Sequence, residues 1–193
     1  MRDFLVQPAR LAGLHLVWPF YKPDDRGYFL KRFEHTVFED NGINLHIDEV
    51  FESHSEKGVL RGMHFQTQSP QAKLVSCPAG CIFDVAVDLR RTSPTFGQWE
   101  GFYLDDDEHC SLYLPAGFAH GFLVVSESAL VLYQCDGAYL PGSDTGICWN
   151  DADVNIRWPL HLVGQVRLSP RDEALPSLQD CIRANALPEE ENP

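Results

Sequence analysis

Hydrophobic and polar residues alternate in short runs bounded by glycine and proline, the period-two signature of β-strands that present one face to a core. In residues 81–89 the alternation places Cys81, Phe83, Val85, Val87 and Leu89 on one face and Ile82, Asp84, Ala86 and Asp88 on the other. Residues 58–66 read as a second strand, with Leu60, His64 and Gln66 on one face and Val59, Arg61, Met63 and Phe65 on the other. A third, residues 71–77, puts Lys73 beside Val75 and Cys77. Each strand therefore carries a polar group among apolar neighbours, where an ammonium or carboxylate is costly unless partnered.

The same pattern predicts strands near Leu14 to Val17, Tyr28 to Leu30 (after a turn over residues 22–27), Ile47 to Phe51, Gln98 to Leu104, Ser111 to Leu114 and Val131 to Cys135. Residues 115–121, with a proline and two glycines, predict a tight bend that holds His120 ahead of an apolar strand. One short helix is expected over residues 36–41, closed by Gly42, and a second helix or coil after Leu168. About ten strands with little helix and no internal repeat give an all-β chain, a jelly-roll barrel or sandwich with a few short helices. A single domain is expected over residues 1–186, followed by an acidic tail, 187–193, expected to be disordered. Such sheets leave edges to cover, and a homodimer is one way of covering them.

Charge narrows the function. The 193 residues carry a net charge of -13 with no basic cluster, which argues against nucleic acid as a partner. The first twenty residues lack the features of a secretory signal and no apolar run is long enough to cross a bilayer, so a cytoplasmic protein without a membrane partner is expected. The six cysteines then read as small buried hydrophobes. Cys77 and Cys81 lack the second ligand pair of a zinc site. An anionic ligand would depend on a few local cations among Arg26, Lys31, Arg32, Arg61, Lys73 and Arg171.

Five segments, read in order, are more specific: GVLRGMHFQ from Gly58, AKLV from Ala72, FDVAVD from Phe83, SPTFG from Ser93 and PAGFAHGF from Pro115. Together they resemble the dTDP-4-dehydrorhamnose 3,5-epimerase family, over residues 26–172. The resemblance implies a cupin-type jelly roll, usually homodimeric, that acts on a nucleotide-linked 4-keto-6-deoxyhexose with no cofactor and no metal. Cupin metal sites use two histidines one residue apart, and Gln66 stands where the second would fall.

Removing a hydrogen next to a ketone requires a base, stabilisation of the developing enolate, and an acid on the opposite face if the centre is to invert. By resemblance His64 is the base, paired with Asp172; Lys73 stabilises the enolate; Tyr133 returns the proton; Asp84 and His120 support the site. Arg26 and Arg61 match positions that hold the diphosphate, Tyr139 one that stacks on substrate, and Phe29, Gln66 and Arg171 complete the implied substrate-binding set. Glu49 and Phe51 depart from the Gln and Asn common in the family, and Lys31 from a Glu, so the preferred base or sugar is open. Three alternatives also stay open: inversion at carbon 3 only, a non-catalytic cupin that binds a sugar nucleotide, and a metal-dependent cupin, which Gln66 disfavours.

Overall fold

A computed structural model describes residues 1–189. Thirteen strands occur among them: β1 (Leu5–Pro8), β2 (His15–Trp18), β3 (Phe20–Asp24), β4 (Gly27–Lys31), β5 (Glu49–Glu56), β6 (Leu60–Gln66), β7 (Lys73–Ala79), β8 (Cys81–Asp88), β9 (Trp99–Asp105), β10 (Ser111–Leu114), β11 (Phe118–Val124), β12 (Ser128–Cys135) and β13 (Asp144–Gly146). Three short helices accompany them, α1 (His35–Asp40), α2 (Pro170–Glu173) and α3 (Leu178–Arg183). Six strands pair in the order β1-β2-β10-β7-β12-β5 and five in the order β13-β6-β11-β8-β9, while β3 and β4 form a separate hairpin.

The two large sheets face each other, as in a cupin-like jelly roll, and alternation sorts their side chains into three cores. Between the sheets lie Val75 and Cys77 from β7, Ile82 and Ala86 from β8, Phe122 from β11 and Val131 and Tyr133 from β12. On the outer face of the five-stranded sheet, Phe83, Val85, Val87 and Met63 pack against Ile147, Trp158, Leu178 and Leu187 from the C-terminal segment. On the outer face of the other sheet, Val17, Leu74 and Tyr113 are covered by Phe38 of α1 with Ile43 and Leu45. The predicted faces of residues 81–89 and 71–77 are those observed. Asp84 and Lys73 share the inward faces of their strands because they alternate in step with Ile82, Ala86, Val75 and Cys77.

Four sequence expectations are corrected. The turn expected over residues 22–27 shrinks to Asp25 and Arg26, since β3 runs on to Asp24; proline is tolerated there because both strands of a two-stranded ribbon are edges. His120 lies inside β11, paired with Ala86 and His64, rather than in a bend. The weakly patterned β1 was not expected; it is an edge strand whose Leu5 is exposed, so burial imposes little alternation on it. The tail does not leave the fold at 187: Leu187 is buried and the Glu189 amide donates to the Thr67 carbonyl at 2.8 Å, while the rest of the expected tail lies outside the described residues.

The departure that matters most is in β6. Against β11, His64 pairs with His120 but Arg61 pairs with Phe122, so three steps on β6 face two on β11. The extra residue is a bulge, which resets the alternation and turns Arg61 to the same side as His64. Gly62 makes it feasible: its φ is +117°, and a Cβ there would stand 2.6 Å from Gly121 Cα and 2.7 Å from the His120 carbonyl oxygen.

Candidate active site

One end of the space between the sheets opens into a cavity of about 760 Å³. Its walls are Glu49, Val50 and Phe51 of β5, Arg61, His64, Phe65 and Gln66 of β6, Lys73 of β7, His120 and Phe122 of β11, and Tyr133 of β12. Tyr139, Asp144, Asp48 and Gln71 complete the rim. Antiparallel pairing makes this possible, since β6 lies beside β11 in one sheet and β7 beside β12 in the other, with their side chains projecting into the same gap.

His64 reaches the cavity with its back to a carboxylate. Its Nε2 lies 2.5 Å from Asp172 Oδ1. Asp172 sits at the start of α2, where Ser169, the N-cap, both donates its hydroxyl to Asp172 Oδ2 at 2.9 Å and accepts from the Asp172 amide at 3.1 Å. Burial pushes the Asp172 carboxyl up, but the hydrogen bond and charge of His64, the Ser169 hydroxyl and Arg171 outweigh it, and the net pKa lies below the usual 3.8. An ionised Asp172 accepting from Nε2–H leaves the Nδ1 lone pair of His64 free to take a proton.

A second pair stands behind the same wall. His120 Nε2 lies 2.7 Å from Asp84 Oδ1, with both residues buried and Asp84 Oδ2 unpartnered among the described residues. Burial raises the Asp84 pKa against the opposing effects of His120 and Lys73. Across the cavity burial also lowers the pKa of Lys73, against the raising influence of Cys135, Asp144 and Asp84. Among the described residues no carboxylate comes within ion-pair distance of its Nζ, which leaves the amine without an ion pair at the cavity wall. Burial and the charge of Asp84 push the Tyr133 phenol well above its ordinary 10, which keeps it protonated and able to donate. The Tyr133 ring stacks against Phe51 at 4.7 Å and meets His120 edge-on at 5.9 Å.

The mouth is bounded by residues 137–140, pinned by side chains beyond the last backbone pairing of Asp136 with Ala72. The Gln66 amide group donates to the Ser69 and Ala138 carbonyls at 3.0 and 3.3 Å and its oxygen accepts from the Leu140 amide at 2.5 Å. Glu49 accepts from the Tyr139 amide at 3.0 Å and Asp48 from that of Gly137 at 2.7 Å. Tyr139 donates its hydroxyl to Asp144 at 2.8 Å, and Arg171 pairs with the same carboxylate at 2.8 Å.

These elements bring together an imidazole with an orienting carboxylate, a half-buried amine, and a buried phenol on a facing strand. The comparisons with known proteins agree. The family model described as dTDP-4-dehydrorhamnose 3,5-epimerase matches residues 8–180. The chain belongs to that family. A dTDP-4-dehydrorhamnose 3,5-epimerase of Escherichia coli (strain K12) is 46% identical over 189 residues, 97% of this chain and 96% of the relative. The structure of dTDP-6-deoxy-D-glucose-3,5-epimerase from Legionella pneumophila, in complex with dTDP-4-keto-L-rhamnose, superposes with a TM-score of 0.92 at 40% identity, covering 98% of this chain and 100% of that one. A 3'-monoepimerase from Streptomyces bikiniensis, in complex with dTDP-quinovose, superposes with a TM-score of 0.86 at 33% identity, covering 94% and 91% of the two chains. The protein is thus an isomerase of the sugar-nucleotide epimerase family.

Of the residues singled out in the sequence, His64, Lys73, Tyr133, His120, Arg61, Gln66 and Tyr139 line the cavity of this epimerase fold, with Asp172 and Asp84 directly behind the two histidines. Arg171 touches the rim through Asp144. Arg26 and Phe29 do not reach it: both are on the β3–β4 hairpin, where the Arg26 side chain is 85% exposed and paired with Asp24, and Phe29 packs on Phe20. Lys31 is likewise engaged with Glu34, and Arg32 donates to the His109 carbonyl. The Cys77 and Cys81 thiols are raised by burial to about 12 and about 11, as suits apolar packing. One further group, His46, Asp48 and Asp136, brings possible metal-ligand atoms within 4.8 Å of one another, at the exposed rim and apart from His64.

Sequence reasoning missed Asp144 and Ser169. Asp144 carries no local signal, being placed by a three-residue strand that pairs with β6. Ser169 was legible: a serine followed by Pro170 and, three residues on, by Asp172 is a helix N-cap pattern.

Proposed function

We propose that the protein epimerises a dTDP-linked 4-keto-6-deoxyhexose at carbons 3 and 5, with its own side chains supplying every proton transfer. His64 Nδ1 removes the proton next to the ketone while Asp172 holds the ring and balances the imidazolium. Lys73 faces the keto oxygen and stabilises the enolate, an interaction stronger in the transition state than in the ground state. Tyr133, on the opposite sheet, delivers a proton to the other face of the carbon and so inverts it. Asp84 and His120 keep negative charge near Lys73, and Arg61, turned inward by the bulge, takes a phosphate oxygen. Gln66, Tyr139 and Arg171 shape the sugar-nucleotide entrance. In a homodimer, which would cover the exposed edges and hairpin aromatics, Arg26 and Phe29 are available to a second copy of the site. The setting is deoxysugar biosynthesis in the cytoplasm.

The observation that carries this reading is the placement of His64, with its carboxylate, and Tyr133 on facing sheets around one cavity that also holds an ion-pair-free lysine. A carbon-3 epimerase is the second reading, supported by the Streptomyces bikiniensis monoepimerase, which shares the fold. Incubation of dTDP-4-keto-6-deoxyglucose with the enzyme in deuterated water tests both. Deuterium at carbons 3 and 5 with inversion is expected; deuterium at carbon 3 alone selects the monoepimerase, and none with bound ligand leaves a sugar-nucleotide binder.

A further inference from the structure

Strand β5 turns Phe51, Ser53 and Ser55 to one side by simple alternation. The outer two have visible tasks. Phe51 stacks on Tyr133 with ring planes 16° apart, and Ser55 Oγ accepts from Arg61 Nε at 3.0 Å. Between them, the Ser53 hydroxyl is buried and makes no well-formed hydrogen bond among the described residues, though it lies near enough to the Tyr133 phenol to ease its ionisation by hydrogen bonding. In the β5–β12 register Phe51 is opposite Tyr133 and Ser53 opposite Val131, so Ser53 is the diagonal neighbour of Tyr133 on the same face. Ser53 does not line the cavity.

An unpartnered buried hydroxyl is costly and calls for an explanation. We infer that Ser53 is a positioning residue for the proton donor, its hydroxyl turning to donate to the Tyr133 phenolate that exists only after the proton has moved to the sugar. The inference rests on Tyr133 as the acid. In that step the enolate's electron pair forms the new C–H bond, the phenolic O–H breaks, the ketone is restored and a phenolate remains. Solvent water later returns a proton to the phenolate, and the His64 imidazolium releases its own, so the cycle balances. The phenolate forms in a buried place that strongly opposes it, next to the charge of Asp84. The Ser53 hydroxyl and the Arg61 charge act in the other direction, easing Tyr133 ionisation. A free rotor beside the phenol supplies this help when the charge appears and leaves the resting phenol free to donate into the cavity.

The test compares wild type with S53A, S53T and Y133F on dTDP-4-keto-6-deoxyglucose in deuterated water, following exchange at the carbon next to the ketone and inverted product separately. With S53A, kcat for inversion should fall roughly ten- to a hundredfold, the range of a hydrogen bond to a charged group, with KM within about twofold of wild type. Exchange started by His64 should fall much less, so exchange events per inversion rise, and S53T, which keeps the hydroxyl, should recover most of the loss. Unchanged kcat and exchange ratio in S53A, alongside loss of inversion in Y133F, overturns the inference and leaves the acid assignment standing. Equal loss of exchange and inversion in S53A with no recovery in S53T marks a packing role and overturns it too. Normal inversion by Y133F removes the acid assignment and the inference with it.

Discussion

His64 and Asp172 lie 108 residues apart in the chain and 2.5 Å apart in the fold. The contact exists because β6 delivers the imidazole to the cavity wall while a four-residue helix, α2, is capped there by Ser169, whose hydroxyl also takes the second oxygen of Asp172. The carboxylate is thus fixed by a local cap before it meets its long-range partner, and the histidine tautomer follows from it.

Replacing Asp172 with Asn should lower kcat by roughly 10²- to 10⁴-fold, because an amide neither balances the imidazolium nor enforces the Nε2–H tautomer. Proton exchange into the substrate should fall with inversion, since both begin at His64; survival of exchange at the wild-type rate would sink the dyad. The depressed Asp172 pKa also predicts a stability contribution that is complete above the unfolded value near 3.8 and lost as pH falls below it. In D172N, thermal unfolding across pH 2–6 should lack that component.

Lys73→Met should inactivate the enzyme and stabilise the fold. The half-buried Lys73 side chain has no ion pair among the described residues, and desolvation lowers its pKa. The unfolded chain therefore binds the proton more readily, and the penalty is full below the folded pKa and relieved as pH rises towards the unfolded value near 10. Removing the charge is expected to add about 1–3 kcal/mol at pH 7, a rise in Tm of roughly 2–10 °C, that shrinks by pH 10. A variant with lower Tm at pH 7 contradicts the assignment.

Gly62→Ala should cost about 3 kcal/mol or more, since the new Cβ adds overpacking to a left-handed backbone. The bulge is what aligns Arg61 with His64 on one face, so any folded fraction should show a raised KM as well as a lower kcat. Calorimetry together with steady-state kinetics checks both, and a stable, fully active G62A would show that the bulge is dispensable.

Gln66→Leu leaves the Leu140 amide and the Ala138 and Ser69 carbonyls without their side-chain partner. A loss of about 1–3 kcal/mol is expected, with KM rising several-fold more than kcat falls, because the segment carrying Tyr139 is loosened while the proton-transfer groups stay in place. Dialysis of wild type against a chelator should leave its turnover unchanged; loss restored by a divalent cation would instead point to the His46, Asp48 and Asp136 group.

Alternation made much of the interior legible. The inward faces of β7 and β8 follow from two-residue periodicity, and with them the discomfort of Lys73 and Asp84, because burial on both sides of a strand leaves a polar residue nowhere to hide in the pattern. The same logic misassigned Arg61, since one extra residue at Gly62 reverses every later position and a bulge depends on the close approach of β11. It also placed His120 in a bend, because glycines that usually mark turns here permit two strands to press together.

By itself the sequence determined most of the strands, the packed faces of β7 and β8 and, through motifs in a fixed order, the family and the residues that could move a proton. Tertiary structure alone decided which of those residues meet. Pairing partners and bulges are settled by contacts between distant segments, which no local pattern encodes. So Asp144 under Tyr139, Arg61 turned inward and Ser53 waiting beside Tyr133 became visible only once two sheets had closed on each other, and the pairing of Asp172 with His64, implied by resemblance, took its geometry from the same closure.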